Sequence, residues 1–200
     1  MSVWREPAAT GAPGPVIFLD RDGVVIADRN YLADPDEVAL IPGAAAAMAR
    51  ARAAGFALVG VSNQSGLGRG LFGQADFAAV MERLEELLAA AGAAFDAFYY
   101  CPHAPQQDCR CRKPLPGLLE EAARRLPFAP TASWVVGDKA SDVALARDAG
   151  LGAVLVHTGY GAGEAAGVRA RWGDDPRVLQ AADLPGAVAA ILAGAAGVAP

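Results

Sequence analysis

The chain has 200 residues, 54% hydrophobic and 20% charged, which is enough apolar material for one domain to bury a full core without disulfide staples. Its net charge of −5 and pI near 5.0 exclude a nucleic-acid or anionic-membrane partner held by a basic surface, because such partners need clustered Lys and Arg. Any basic side chain that meets an anionic ligand must therefore act locally.

Residues 1–15 carry Arg5, Glu6 and three prolines without an apolar run, so they read as a flexible leader, neither a signal peptide nor a membrane span. Val16-Ile17-Phe18-Leu19 predicts a short buried strand that ends in Asp20-Arg21-Asp22-Gly23. The two-residue spacing points both carboxylates to one side of an extended chain, and Gly23 permits a sharp turn behind them. Asp28 to Pro35 is polar and turn-rich and is expected at the mouth of whatever site the acids form.

Pro42-Gly43 opens a helix that runs to about Ala54, and Phe56 to Val61 predicts a second strand, ending in Ser62-Asn63-Gln64-Ser65. Asp76 is the expected N-cap of a helix whose Phe77, Val80, Met81, Leu84, Leu87 and Leu88 form a core-facing stripe up to Gly92. Further strands are expected over 95–100, 133–136 and 153–156, with helices over 117–126, 141–149 and 184–192. Asp138, at the end of the fourth strand, could equally cap the following helix. This alternation implies an α/β fold: a doubly wound, mostly parallel sheet in one domain over residues 16–193, followed by a flexible tail over 194–200. The uncharged Leu184–Pro200 stretch falls short of a convincing spanning helix, so a cytoplasmic protein is expected.

All three cysteines and one of the two histidines fall in Cys101-x-His103-x5-Cys109-x-Cys111. Four soft donors on one short loop suit a closed tetrahedral Zn²⁺ site, which would be structural because no position remains for water. The loop delivers Arg112 and Lys113 directly after its last ligand. Gly68 to Gly73 formally matches a dinucleotide fingerprint, but it starts too far after its strand and lacks the later acidic partner.

At the strand ends stand Asp20, Asp22, Ser62, Asn63, Lys113, Asp138 and Asp142. Acids for a hard divalent cation, a hydroxyl, an amide and a lysine are the inventory of phosphoryl transfer. Asp20-x-Asp22-Gly23, Ser62, Lys113 and Gly137-Asp138-Lys139-x-x-Asp142 resemble, in order, the four motifs of the haloacid dehalogenase superfamily of aspartate-nucleophile phosphatases, over roughly residues 16 to 161. Ser62-Asn63-Gln64-Ser65-Gly66, the Cys/His loop and Arg112-Lys113-Pro114 resemble more narrowly its heptose bisphosphate branch. The short gap between His103 and Cys109 is similar to the neighbouring histidinol-phosphate branch.

The resemblance implies a catalytic set of Asp20 as nucleophile, Asp22 as acid and base, and Ser62 and Lys113 as stabilisers of the phosphoryl oxygens. It implies catalytic Mg²⁺ held by Asp20, the Asp22 backbone carbonyl and Asp138. Substrate contacts are expected from Asp28, Arg29, Asn30 and Tyr31, from Asn63, Gln64 and Ser65, and from Arg112 and Lys139, with Arg69 available for a distal phosphate. No large cap domain is expected over the site. The expected partner is a small phosphorylated metabolite acted on by a monomer, with a heptose 1,7-bisphosphate favoured over histidinol phosphate. A protein that only binds a partner through its zinc loop is the alternative from another class.

Overall fold

The computed structural model describes residues 2–7 and 14–196. Its sheet has seven strands, β1 (Ser2–Arg5), β2 (Val16–Leu19), β3 (Ala57–Asn63), β4 (Ala97–Cys101), β5 (Trp134–Gly137), β6 (Gly152–Val156) and β7 (Val178–Ala181). Their order is β1-β4-β3-β2-β5-β6-β7, with β1 antiparallel to β4 and every other pairing parallel. The helices are α1 (Ala44–Ala53), α2 (Ser65–Gly68), α3 (Gln74–Ala90), α4 (Gly117–Arg125), α5 (Ala140–Asp148), α6 (Gly161–Trp172) and α7 (Leu184–Ala196).

β2 explains why the sheet is covered on both faces. All four of its residues are buried, but Ile17 and Leu19 join one apolar cluster and Val16 and Phe18 the other, as the period of two in a strand requires. Met48, Phe77, Met81, Leu84 and Ile191 bring α1, α3 and α7 to the first face. Leu118, Leu119, Val143, Leu145 and Val168 bring α4, α5 and α6 to the second. The chain leaves β2 for β3 on one side and returns to β5 on the other, so the ends of β2, β3 and β5 border a topological switch point. Among the described residues no inserted domain interrupts the alternation of strand and helix, and no helix is long and apolar enough to cross a membrane.

The five expected strands are present, with ends shifted by one or two residues. Two strands and two helices were not expected; one of the helices is the short α2, where Gly66 to Gly70 reads as a flexible loop. Ser2–Arg5, inside the supposed leader, is an edge strand: Trp4 donates its indole N–H to Glu85 at 3.0 Å and packs edge-on against Phe77 at 6.0 Å, while Arg5 pairs with Glu85 at 2.7 Å. Leader residues 8–13 lie outside the described residues, as do 197–200 of the expected tail, and α7 runs to Ala196. α6 and β7 follow the Gly-rich turn after β6. The N-cap of α3 is Gly73; Asp76 sits in the first turn and reaches back to accept the Gly73 N–H at 2.7 Å. Asp138 does not cap α5, since Asp142 accepts the Lys139 N–H instead, at 3.1 Å.

Candidate active site

The site starts where β2 runs out of apolar residues. The Asp20 N–H still donates to Val136 of β5 at 3.0 Å, after which the chain folds back so that Arg21 C=O accepts from Val25 and Ile26, both at 3.0 Å. Gly23 makes this turn at φ +78°. A Cβ there would lie 2.4 Å from Asp138 Oδ2, and one on Gly159, at φ +56°, would lie 2.2 Å from the same oxygen. Two glycine backbones thus leave room for the Asp138 carboxylate.

Lys113 is 4% exposed and lies at the centre of the charges. Its Nζ is 2.8 Å from Asp20 Oδ1 and 2.6 Å from Asp142 Oδ1, and donates to Val61 C=O at 2.8 Å. Asn63 brackets its backbone, accepting the Lys113 N–H at 3.0 Å and donating to its C=O at 3.2 Å. Burial alone would lower the lysine pKa, but the Asp142 and Asp20 carboxylates outweigh it and hold the ammonium above the ordinary lysine range. Burial, against the pull of Lys113, raises Asp142. Asp138 is pushed up to about 7, by burial first and by the Asp20 charge second, although the Tyr160 N–H donates to its Oδ2 at 2.9 Å.

Carboxylate oxygens of Asp20, Asp138 and Asp142 lie within 4.8 Å of one another. Three buried carboxylates face the buried ammonium of Lys113, with Lys139 Nζ 3.9 Å from Asp138 Oδ1, and Asp138 Oδ1 has no hydrogen-bond partner among the described residues. That charge imbalance and an all-oxygen donor set suit a hard divalent cation such as Mg²⁺. Of the expected Mg²⁺ ligands, Asp20 and Asp138 are therefore together. The Asp22 carboxylate is turned elsewhere, to Arg21 at 3.0 Å and to Gln64 at 2.9 Å, which leaves its backbone carbonyl as the group expected to serve.

A cavity of about 360 Å³ opens over these residues. Of the residues expected to contact substrate, Asp28, Asn30, Tyr31, Ser62, Asn63, Gln64, Ser65, Arg112 and Lys139 line it; Arg29 is exposed and does not. Tyr160 lines it as well, with Lys139 Nζ 4.4 Å from its ring centroid. Arg21, which read as a spacer between two acids, is buried at 1% exposure. Asp142 had a motif but no role. The sequence grouped it with the strand-end acids, and Gly137 is required beside it, since a Cβ there would be 2.2 Å from Asp142 Cγ.

The chain is similar to known proteins in sequence and fold. A family model described as HAD-hydrolase-like matches residues 110–178. A D-glycero-beta-D-manno-heptose-1,7-bisphosphate 7-phosphatase of Yersinia pestis is 42% identical over 188 residues, covering 88% of this chain and 96% of its own. An enzyme of the same name from Escherichia coli (strain K12) is 44% identical over 153 residues, covering 72% of this chain and 80% of its own. The crystal structure of D,D-heptose 1,7-bisphosphate phosphatase from B. bronchiseptica, complexed with magnesium and phosphate, superimposes with a TM-score of 0.81 at 37% identity, covering 90% of this chain and 99% of that one. The chain belongs to the haloacid dehalogenase (HAD) superfamily of phosphatases.

This HAD phosphatase carries a second donor cluster beside its pocket. Cys101, His103, Cys109 and Cys111 present donor atoms within 4.8 Å of one another. The Cys101 and Cys109 sulfurs are 3.7 Å apart, and His103 Nδ1 is 3.5 Å from Cys101 Sγ and 3.3 Å from Cys111 Sγ. A tetrahedron with Zn–S of about 2.3 Å and Zn–N of about 2.0 Å has edges of about 3.8 and 3.5 Å, so the four donors could hold Zn²⁺ without rearrangement. The sulfur separation is far too long for a disulfide. Burial pushes the Cys101 thiol up to about 12. Cys109, although burial acts against it, is held below the ordinary thiol range by the backbone N–H groups of Arg112 and Cys111. The loop then runs directly into Arg112, whose guanidinium donates to His103 C=O at 3.5 Å.

Proposed function

We propose that this HAD phosphatase is Mg²⁺-dependent and removes the 7-phosphate of D-glycero-D-manno-heptose 1,7-bisphosphate through an aspartyl-phosphate on Asp20. The observation that carries the reading is the buried Asp20 carboxylate, held by Lys113 Nζ at 2.8 Å next to an Asp138 oxygen without a hydrogen-bond partner among the described residues. Lys113 engages one Asp20 oxygen and leaves the other to attack phosphorus. The bond from phosphorus to the sugar oxygen breaks, and Asp22 gives that oxygen its proton. Asp22 then takes a proton from the water that attacks the phosphorus of the aspartyl-phosphate, which releases phosphate and restores the Asp20 carboxylate. Ser62 donates to a phosphoryl oxygen, and the positive charge of Lys113, whose donors meet Asp20, Asp142 and Val61, stabilises the phosphoryl oxygens. Asp20, Asp138 and the Asp22 backbone carbonyl would hold Mg²⁺, which when bound supplies positive charge to the same oxygens.

The heptose substrate rests on the names of the relatives and on cations at the mouth. Arg112 and Lys139 line the cavity, and Arg69 stands 5.9 Å from the Tyr31 ring centroid, placed for a distal phosphate. Histidinol phosphate would call on acidic or aromatic groups at the mouth; Asp28 and Tyr31 line the cavity, whereas Asp34 does not and accepts the Asp36 N–H at 2.9 Å. Phosphate release from both compounds, measured with and without Mg²⁺, tests the assignment. Turnover of the heptose compound only with Mg²⁺ is expected. A kcat/KM for histidinol phosphate more than about tenfold higher, roughly 1.4 kcal/mol in transition-state binding, would reverse the substrate assignment.

A further inference from the structure

Between Asp22 and Ser62, two residues with different duties in the proposed reaction, lies one amide. Gln64 is 4% exposed. Its Nε2 donates to Ser62 Oγ at 2.7 Å and to Asp22 Oδ2 at 2.9 Å, which commits both of its protons. Its Oε1 accepts from Arg21 at 3.0 Å. A guanidinium only donates, so Arg21 dictates which end of the Gln64 amide faces it and hence that the NH₂ faces Ser62 and Asp22. Arg21 is itself held by Asp22, with contacts from Nε at 3.2 Å and from Nη2 at 3.0 Å, and by the Phe77 ring, 5.7 Å from its Cζ.

The hydroxyl of Ser62 feels the consequence. With one lone pair of Oγ taken by the Gln64 N–H, the Ser62 proton is free to point into the cavity, where it can donate to a phosphoryl oxygen. The same amide sets the position of the Asp22 carboxylate. We infer that Gln64, oriented by the buried Arg21, is a positioning residue that aims the Ser62 proton and the Asp22 carboxylate together, without spending a donor on the substrate. This rests on the phosphatase reading above and names a residue that acts only through others.

The test is a double-mutant cycle on the full-length protein with Mg²⁺ and a phosphomonoester substrate. Gln64→Leu removes the amide at similar volume, and kcat should fall by about 10- to 100-fold with KM changing less than about threefold. In a Ser62→Ala background, where no hydroxyl remains to be aimed, the same change should cost at least about fivefold less. Gln64→Glu provides the second arm. A carboxylate still pairs with Arg21 but accepts the Ser62 proton instead of directing it outward, so kcat should again fall by more than about tenfold at neutral pH. Wild-type kcat in both Gln64 variants, or equal penalties of Gln64→Leu with and without the Ser62 hydroxyl, would overturn the inference alone. No turnover by the wild-type protein would overturn the phosphatase reading and this inference with it.

Discussion

Replacing Asp138 with Asn should stabilise the protein while disabling it. Asp138 is completely buried, its Oδ1 has no hydrogen-bond partner among the described residues and only a long ion pair to Lys139 at 3.9 Å, and its pKa is raised to about 7 from an ordinary 3.8. A carboxylate whose folded-state pKa is raised makes the metal-free protein lose stability as pH climbs from about 4 to about 7, and the full penalty persists above that. At about 1.4 kcal/mol per unit, the ceiling is about 4 kcal/mol at pH 8 and about 2 kcal/mol at pH 5.5. Asn has the same shape and no charge to bury. In Mg²⁺-free buffer, without a chelator that would attack the Cys/His cluster, Asp138→Asn should melt roughly 5–10 °C above wild type at pH 8 and about half as much above it at pH 5.5. Added Mg²⁺ should raise the wild-type Tm at pH 8 and leave the variant unmoved. A variant that melts below wild type at both pH values, or that keeps the Mg²⁺ shift, would refute the account of this carboxylate as an uncompensated cation ligand.

Asp20→Asn should retain its fold, because Lys113 still pairs with Asp142 at 2.6 Å, and should turn over substrate at less than about one part in a hundred of wild type in a phosphate-release assay. Gly159→Ala places a Cβ 2.2 Å from Asp138 Oδ2 at φ +56°; a loss of about 2–3 kcal/mol in denaturant unfolding and weaker Mg²⁺ binding by titration are expected. Elemental analysis should find one zinc per chain. Cys109→Ser should lower Tm and raise KM together, since the same loop carries Arg112; an unchanged KM alongside a lowered Tm would separate the loop from the substrate.

Legibility in the sequence followed burial. β2, β5 and β6 are short apolar runs flanked by turn residues, and they read correctly because a parallel strand buried on both faces must be apolar throughout. β1 did not, because Ser2–Arg5 is short, half-buried and held by partners distant in sequence: β4 alongside, with Phe77 and Glu85. α6 carries Gly163 and Gly167 in its interior, which argues against a helix locally; Val168, fully buried on the second face, shows the tertiary contact that overrides it. The acids, hydroxyl and lysine that the fold gathers, and the Cys/His cluster, stood at strand ends and in a tight spacing, so their proximity was readable. Arg21 and the role of Asp142 were not. One looked like a spacer and the other was one more acid of the strand-end set, and only the fold brings Asp142 to Lys113 and the Arg21 guanidinium to Gln64.

The phosphoenzyme is the central claim. Asp22→Asn would lack the acid of the first step as well as the base of the second, so the wild-type protein is mixed with heptose 1,7-bisphosphate and Mg²⁺ and quenched in acid during turnover to trap the intermediate. Mass spectrometry of the digested protein is predicted to find an added phosphoryl group on the peptide bearing Asp20, and none when Asp20→Asn is introduced. Phosphate released by the wild-type protein with no adduct on Asp20 in any quenched sample would contradict the account.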